Sequence, residues 1–60
     1  MMPIEAVNAM KGKEVVVRLL SGRQIEGRLV SCDLQQNIGM MVKGELIFIQ
    51  GNVTESICEK

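Results

Sequence analysis

Two short polar segments in this sequence of 60 residues carry side chains suited to binding a ligand. The first is the pentad Asp-Leu-Gln-Gln-Asn at 33–37, and the second is the turn Gln50-Gly51-Asn52, each flanked by apolar residues. Polar loops between structured segments commonly hold functional residues. Carboxamides donate and accept hydrogen bonds, so these segments indicate recognition by hydrogen bonding. Asn37 can also bond neighbouring backbone, which would make it part of the loop's own structure.

Catalytic and metal chemistry find little support in the composition. The chain has no histidine, and no acid/base pair or nucleophile constellation stands out. Cys32 and Cys58 lack the CxxC spacing of a structural zinc site, and we expect both to be small buried hydrophobic residues. The sequence therefore predicts no enzyme, no cofactor and no metal ion.

The length of the chain predicts one small domain, residues 1–60. Its seven basic residues balance its seven acidic residues. Such a domain has a marginal core and commonly gains stability from disulfides, metals or oligomerisation. A neutral net charge gives no overall basic field for nucleic acid. The sequence shows neither a signal-peptide pattern nor an apolar run of about 20 residues. We expect a soluble cytoplasmic protein with no membrane partner and no small-molecule substrate.

The order of apolar and turn residues predicts one helix followed by five short strands. Pro3 suits the first turn of a helix over 3–11, in which Ile4, Val7 and Met10 form an apolar stripe and Gly12 is the stop signal. Segments rich in apolar and β-branched residues predict strands at 14–20, 25–32, 38–42, 45–49 and 53–58. Gly27 lies inside the second strand, where a glycine indicates a sharp bend or a close backbone approach.

Five strands this short predict an all-β fold, a strongly bent five-stranded antiparallel barrel with a short N-terminal α-helix. Its edge strands would be open to pairing unless another copy of the chain covers them. The fourth strand is apolar on both faces, at Leu46, Ile47, Phe48 and Ile49. This pattern favours an edge that another copy of the chain covers. A ring or another symmetric oligomer built by strand addition is therefore our hypothesis.

The ordered set of motifs resembles the Sm and Sm-like (LSm) family over essentially the whole chain. The first motif is an apolar strand, a glycine turn, a strand with an internal glycine and then Asp-x-x-x-Asn, here Val15 to Leu19, Gly22, Gly27, Asp33 and Asn37. The second is an apolar strand before Arg-Gly-Asp or Arg-Gly-Asn, here Leu46 to Ile49, Gln50-Gly51-Asn52 and Val53. The short turn at Lys43-Gly44 resembles the compact homo-oligomeric rings of archaea.

The resemblance implies a small SH3-type barrel, bent at Gly27 and closed into a ring. The fourth strand of one subunit would pair with the fifth strand of the next. The implied ring has about five to eight subunits, with seven or six favoured. The implied subunit interface comprises Leu46, Ile47, Phe48, Ile49, Val53 and Ile57.

The resemblance also implies a site for single-stranded, uridine-rich RNA at the central pore. Asn37 would read the edge of the base, and Gln35 and Gln50 would occupy the two positions that sandwich it. Gly51 and Asn52 would complete the RNA-binding turn. Asp33 would mainly brace the loop.

Both sandwiching positions depart from the family pattern, which has a flat aromatic side chain or histidine at the first and arginine at the second. Glutamine supplies no cation for phosphate and a weaker stacking surface. Two functions therefore stay open. One is a non-catalytic RNA-binding ring, and the other is an oligomeric structural or assembly module whose RNA site is weakened or lost.

Other conspicuous side chains have structural interpretations. Three arginines are interleaved with acidic residues, which favours solvated charges over a path for phosphate; these are Arg18, Arg23 and Arg28. Phe48 is expected in the core or at a subunit contact, and Met40 and Met41 are expected to fill the barrel.

Overall fold

The protein is described by a computed structural model over residues 4–60, with the backbone alone for Ile4. It contains one short helix, five strands and one turn of 3-10 helix. The elements are α1 (Ile4–Asn8), β1 (Glu14–Leu19), β2 (Gln24–Cys32), β3 (Ile38–Val42), β4 (Glu45–Ile49), the 3-10 turn (Gly51–Val53) and β5 (Thr54–Glu59).

The helix is shorter than the predicted 3–11, because α1 ends at Asn8 and the following residues form turns. Pro3 lies outside the described residues. The N–H of Met10 donates to the carbonyl of Val7 at 3.0 Å, a contact between residues three apart that tightens the end of the helix. Gly12 then adopts a φ of 82° and donates its N–H to the Leu29 carbonyl at 2.8 Å, so the chain turns onto β2.

The five strands form one antiparallel sheet in the order β4-β3-β2-β1-β5. The first half of β2 pairs with β1 and its second half pairs with β3, and Arg28 takes part in both pairings. The predicted all-β class with an N-terminal helix is confirmed. Because β4 and β5 are the two ends of this strand order, the described sheet forms an open barrel with two free edges.

Four strand boundaries differ from the sequence prediction, and one of them is the end of β5, which lies at Glu59, one residue later than predicted. The strand β1 ends at Leu19, one residue earlier than predicted, and β2 begins at Gln24, one residue earlier than predicted. The last strand begins at Thr54 because Val53 belongs to the 3-10 turn, where its N–H donates to the Gln50 carbonyl at 3.2 Å.

Gly27 lies where another strand comes too close for a side chain. A Cβ at this position would collide with the carbonyl oxygen of Met41 and lie 3.0 Å from Cγ2 of Val42. The backbone of β3 therefore packs directly on β2 at the residue next to the one that changes pairing partner. This close approach lets a single strand take part in both halves of the bent sheet.

The core lies between α1 and the inner face of the sheet. Leu29, Ile38 and Met40 are at most 1% exposed, and Met41 on the opposite face is half-buried. The remaining buried apolar residues are Val7, Met10, Val15, Val17, Ile49 and Ile57. Among residues 4–60, no helix has the length and apolar character needed to cross a membrane.

Replacing Gly27 by alanine should destabilise the fold, because the new methyl group would push against the backbone oxygen of Met41. We expect a loss of about 1–3 kcal/mol in the free energy of unfolding, the usual range for overpacking. Urea denaturation at a fixed protein concentration measures it.

Gly39→Ala is the matched control. The atoms nearest to a Cβ at Gly39 belong to side chains, Oγ of Ser31 at 2.8 Å and Cε1 of Phe48 at 3.1 Å, and both of these residues are exposed. Its expected cost is below about 1 kcal/mol. Equal losses in the two variants would contradict the close approach at Gly27.

Candidate nucleic-acid interface

The carboxylate of Asp33 organises the loop between β2 and β3. Its Oδ1 accepts the backbone N–H groups of Gln35 and Asn37, both at 2.9 Å. Its Oδ2 accepts Nδ2–H of Asn37 at 3.1 Å. The backbone closes the same loop, since the N–H of Asp33 donates to the Asn37 carbonyl at 3.1 Å. These bonds are the contacts that the predicted bracing role of Asp33 requires.

The hydrogen bonds also fix the charge of this side chain. The backbone N–H of Asn37, then its side-chain amide, and then the N–H of Gln35 hold the pKa of Asp33 below its ordinary value. All three donors favour the ionised carboxylate, whereas desolvation opposes them. Asp33 is therefore an anion at neutral pH.

Asn37 joins this loop to the turn that follows β4. Its Nδ2 donates to Asp33, and its Oδ1 accepts the backbone N–H of Gly51 at 2.8 Å. The turn packs closely on the loop, because a Cβ at Gly51 would collide with the carbonyl oxygen of Gln35 and lie 2.9 Å from that of Gln36. One side-chain amide thus connects two polar segments that are 14 residues apart.

The two segments together form a cleft lined by Gln35, Asn37, Gln50 and Asn52, with a volume of about 360 Å³. We call it the amide cleft. Three of its side chains are exposed and Asn37 is half-buried. The structure therefore brings the predicted RNA-binding side chains into one place, with the Gly51 backbone held against Asn37. All four lining residues are uncharged carboxamides.

A second cavity of about 390 Å³ shares two lining residues, Asn37 and Gln50, with the amide cleft. Phe48 contributes an exposed ring to it and packs over Gly39, its partner across the β3–β4 ladder. Phe48 was expected in the core or at a subunit contact, and not beside the candidate site. The sequence feature that indicates this placement is the position of Phe48 two residues before Gln50, on the strand that leads directly into the turn.

The six residues of the implied interface fall into two groups. Ile49 and Ile57 are buried in the core of their own chain, and Ile47 packs against that core. The exposed members are Leu46 at 50%, Phe48 at 76% and Val53 at 41%. Since side chains alternate between the faces of a strand, the outward residues of β4 are the ones left for contact with another molecule.

The structure places the remaining conspicuous side chains as follows. Cys32 is half-buried with its Sγ 3.0 Å from Oδ1 of Asn8, whereas Cys58 is exposed, so the prediction of a buried cysteine is wrong for Cys58. It faces away from the core because its neighbour Ile57 faces inward.

The three arginines named above are exposed. Residues 4–60 contain no cluster of metal-ligating side chains.

No sequence model of a protein family matches the chain, and no characterised protein matches it in sequence. Solved structures do match. The chain is similar to a Pyrococcus abyssii Sm protein in complex with a uridine heptamer, with a TM-score of 0.86 and 24% identity over 100% of both chains.

Two further structures give the same result. One is an SmAP (LSm) protein from Methanococcus vannielii, with a TM-score of 0.84 and 22% identity over 93% of this chain and 91% of that one. The other is a heptameric archaeal Sm protein, with a TM-score of 0.80 and 21% identity over 93% and 97%.

The molecule is a small, strongly bent antiparallel barrel that carries a polar cleft at its loop end. That barrel is the Sm fold, and the predicted Sm-like architecture is confirmed over the described chain.

Replacing Asn37 by aspartate should destabilise the loop. The variant keeps an oxygen for the Gly51 N–H but replaces the Nδ2 donor by an oxygen that faces the Asp33 carboxylate. Losing that donor should cost about 1–3 kcal/mol at neutral pH, as measured by urea denaturation.

Asn52→Asp adds the same charge on the same cleft as a control. The Asn52 side chain is exposed and makes no hydrogen bond with residues 4–60, so we expect a change within about 0.5 kcal/mol. A similar loss in both variants would show that added charge, rather than the Asn37 bridge, sets the stability.

Proposed function

We propose that this protein is a non-catalytic, cytoplasmic, ring-forming RNA-binding protein that holds single-stranded, uridine-rich RNA at the central pore. The observation that carries the proposal is the bridge from Asp33 through Asn37 to Gly51. It holds both polar segments in one cleft lined by side chains that can bond the edges of bases.

The comparison structures support this proposal at the level of the shared fold. The Pyrococcus abyssii Sm protein was solved with a uridine heptamer bound. Its fold matches this chain along its full length. We infer that the amide cleft is where a uridine of the RNA strand sits in this protein, with Asn37 reading the base edge and Gln35 and Gln50 beside it.

The proposal of a ring is based on the two free edges of the sheet. Strand β4 of one subunit would pair with β5 of the next, which extends the sheet without changing its order. Leu46, Phe48 and Val53 are the exposed apolar residues near these edges. A similar fold forms a heptamer in the archaeal Sm protein. We infer a homo-oligomer, with six or seven subunits favoured within the expected range of about five to eight.

The alternative function is an oligomeric structural or assembly module with a weakened or lost RNA site. The observation in its favour is that no lysine or arginine among residues 4–60 lines the amide cleft, while the whole chain has no net charge. Affinity for nucleic acid commonly depends on cations that neutralise phosphates.

Binding of labelled oligo-uridine, with oligo-adenine as the comparison, decides between the two functions. We expect oligo-uridine to bind more tightly, and Asn37→Asp to weaken it at least tenfold because each subunit loses its base-reading amide. Asn52→Asp adds the same charge to the cleft and should have a smaller effect. If neither oligonucleotide binds at low salt, the proposed RNA-binding function is wrong, and the alternative function as an oligomeric structural or assembly module is retained.

The assembled mass tests the ring. We expect native mass spectrometry to give one multiple of 6.6 kDa that does not change on dilution. Phe48→Glu should shift the mass toward smaller species, because it places a charge on the exposed face of β4. Leu34→Glu adds the same charge at an 88% exposed residue of the loop between β2 and β3, and its assembly should stay intact. A stable monomer of the unaltered protein at micromolar concentration would contradict the ring.

A further inference from the structure

We propose that Arg18 and Arg23 bind the phosphate backbone of the RNA strand. We call these two residues the arginine pair; Arg18 lies near the end of β1, and Arg23 lies in the turn between β1 and β2. This inference rests on the proposed function and adds to it a surface outside the amide cleft. The ligand class is the phosphodiester of single-stranded RNA.

The first observation is the position of the turn between β1 and β2. The N–H of Leu20 donates to the carbonyl of Val53 at 2.9 Å. Val53 directly follows Asn52, which lines the amide cleft. The turn is closed by the N–H of Leu19, which donates to the carbonyl of Arg23 at 2.8 Å. The arginine pair therefore lies on a turn that is bonded to the segment carrying one lining residue of the cleft.

The second observation is the set of side chains beside Arg18 on the sheet. Its cross-strand partners are Gln24 on β2 and Ser56 on β5, and neither is charged. Arg18, Gln24 and Arg23 are all exposed. Arginine binds phosphate oxygens through two N–H groups at once, and glutamine and serine side chains also donate to phosphates. This row offers a cation with neutral hydrogen-bonding groups on both sides.

The third observation is that the acidic residues nearby are engaged elsewhere. Nζ of Lys60 lies 2.7 Å from Oε1 of Glu26, and Nζ of Lys13 lies 3.2 Å from Oε1 of Glu59. Glu55 lies in the irregular stretch of β5 beside Arg18, and it forms no ion pair within residues 4–60.

The arginine pair likewise forms no ion pair within the described chain. The third arginine differs, because Arg28 lies directly opposite Glu14 in the β1–β2 ladder. The interleaved charges of the sequence thus separate in the fold. Two arginines near the cleft keep a positive charge that a phosphate can neutralise, although the chain as a whole has no net charge.

The test measures oligo-uridine affinity of Arg18→Gln and Arg23→Gln at about 50 and about 200 mM salt. We expect each variant to bind about three- to tenfold more weakly at the lower salt concentration, because a charge-assisted contact is lost. The slope of log affinity against log salt should become shallower by about 0.7 for each phosphate contact removed. Arg23→Lys keeps the charge and should retain most of the slope.

Lys43→Gln is the matched control, because it removes one positive charge from an exposed residue in the turn between β3 and β4. That turn lies at the far end of β3 from the amide cleft. Five strand residues span about 16 Å, which exceeds the screening length of about 10 Å at 0.1 M salt. Its affinity and slope should match those of the unaltered protein.

The preference between bases gives an independent readout. Phosphate contacts carry no base information, so Arg18→Gln and Arg23→Gln should weaken oligo-uridine and oligo-adenine by the same factor. Native mass spectrometry of both variants should give the mass of the unaltered assembly, which separates a lost contact from a lost ring. A changed ratio between the two oligonucleotides would contradict a phosphate contact.

A direct measurement follows the Nε–H signals of the arginine pair by NMR. Titration with oligo-uridine should shift both signals. Titration with the nucleoside uridine, which has no phosphate, should leave them in place. Unshifted arginine signals at saturating oligo-uridine would overturn the inference.

The outcomes distinguish this inference from the proposed function. If oligo-uridine binds and both arginine variants behave like Lys43→Gln, the phosphate contact is wrong while RNA binding is retained. If no RNA binds to the unaltered protein at about 50 mM salt, the proposed function is wrong and this inference is wrong with it.

Discussion

The hydrogen bonds of the Asn37 side chain are the interaction on which the candidate site depends. The amide connects an anion, Asp33, to a backbone N–H in a different turn, so it holds two polar segments together with one side chain. The bond to Asp33 is charge-assisted, and such bonds are stronger than bonds between neutral groups. Because Gly51 packs on the carbonyls of the loop, the two segments also fit sterically. A cleft formed by separate turns is thereby given a fixed shape in a domain of very small size.

The sheet delivers the loop to that position through β2. The strand changes partner at Arg28, and Gly27 beside it lets the β3 backbone approach without a side chain between them. The loop of Asp33 follows directly from the end of this strand, and the turn of Gly51 follows from β4, two strands away in the sheet order. Strand curvature and the position of the cleft therefore have the same structural origin.

Much of this arrangement could be predicted from the sequence, for identifiable reasons. Glycines and polar turns marked the strand order, and the pentad and the second turn stood out as polar segments within apolar surroundings. Their meeting in one cleft followed only from the family resemblance, because nothing local relates residues 14 positions apart. The length of α1 was overestimated because tight turns continue the helical spacing through Met10. The inward orientation of Ile49 depends on strand register, which the run of consecutive apolar residues from Leu46 to Ile49 leaves undetermined.

Asn37 and Gln50 line both the amide cleft and the cavity beside Phe48. A molecule in either cavity can contact the same two side chains. If filling one cavity changes their positions, the affinity of the other cavity changes too, and equilibrium thermodynamics requires the effect to be equal in both directions. In the ring that we propose, contact along β4 and occupancy of the cleft would then be linked events.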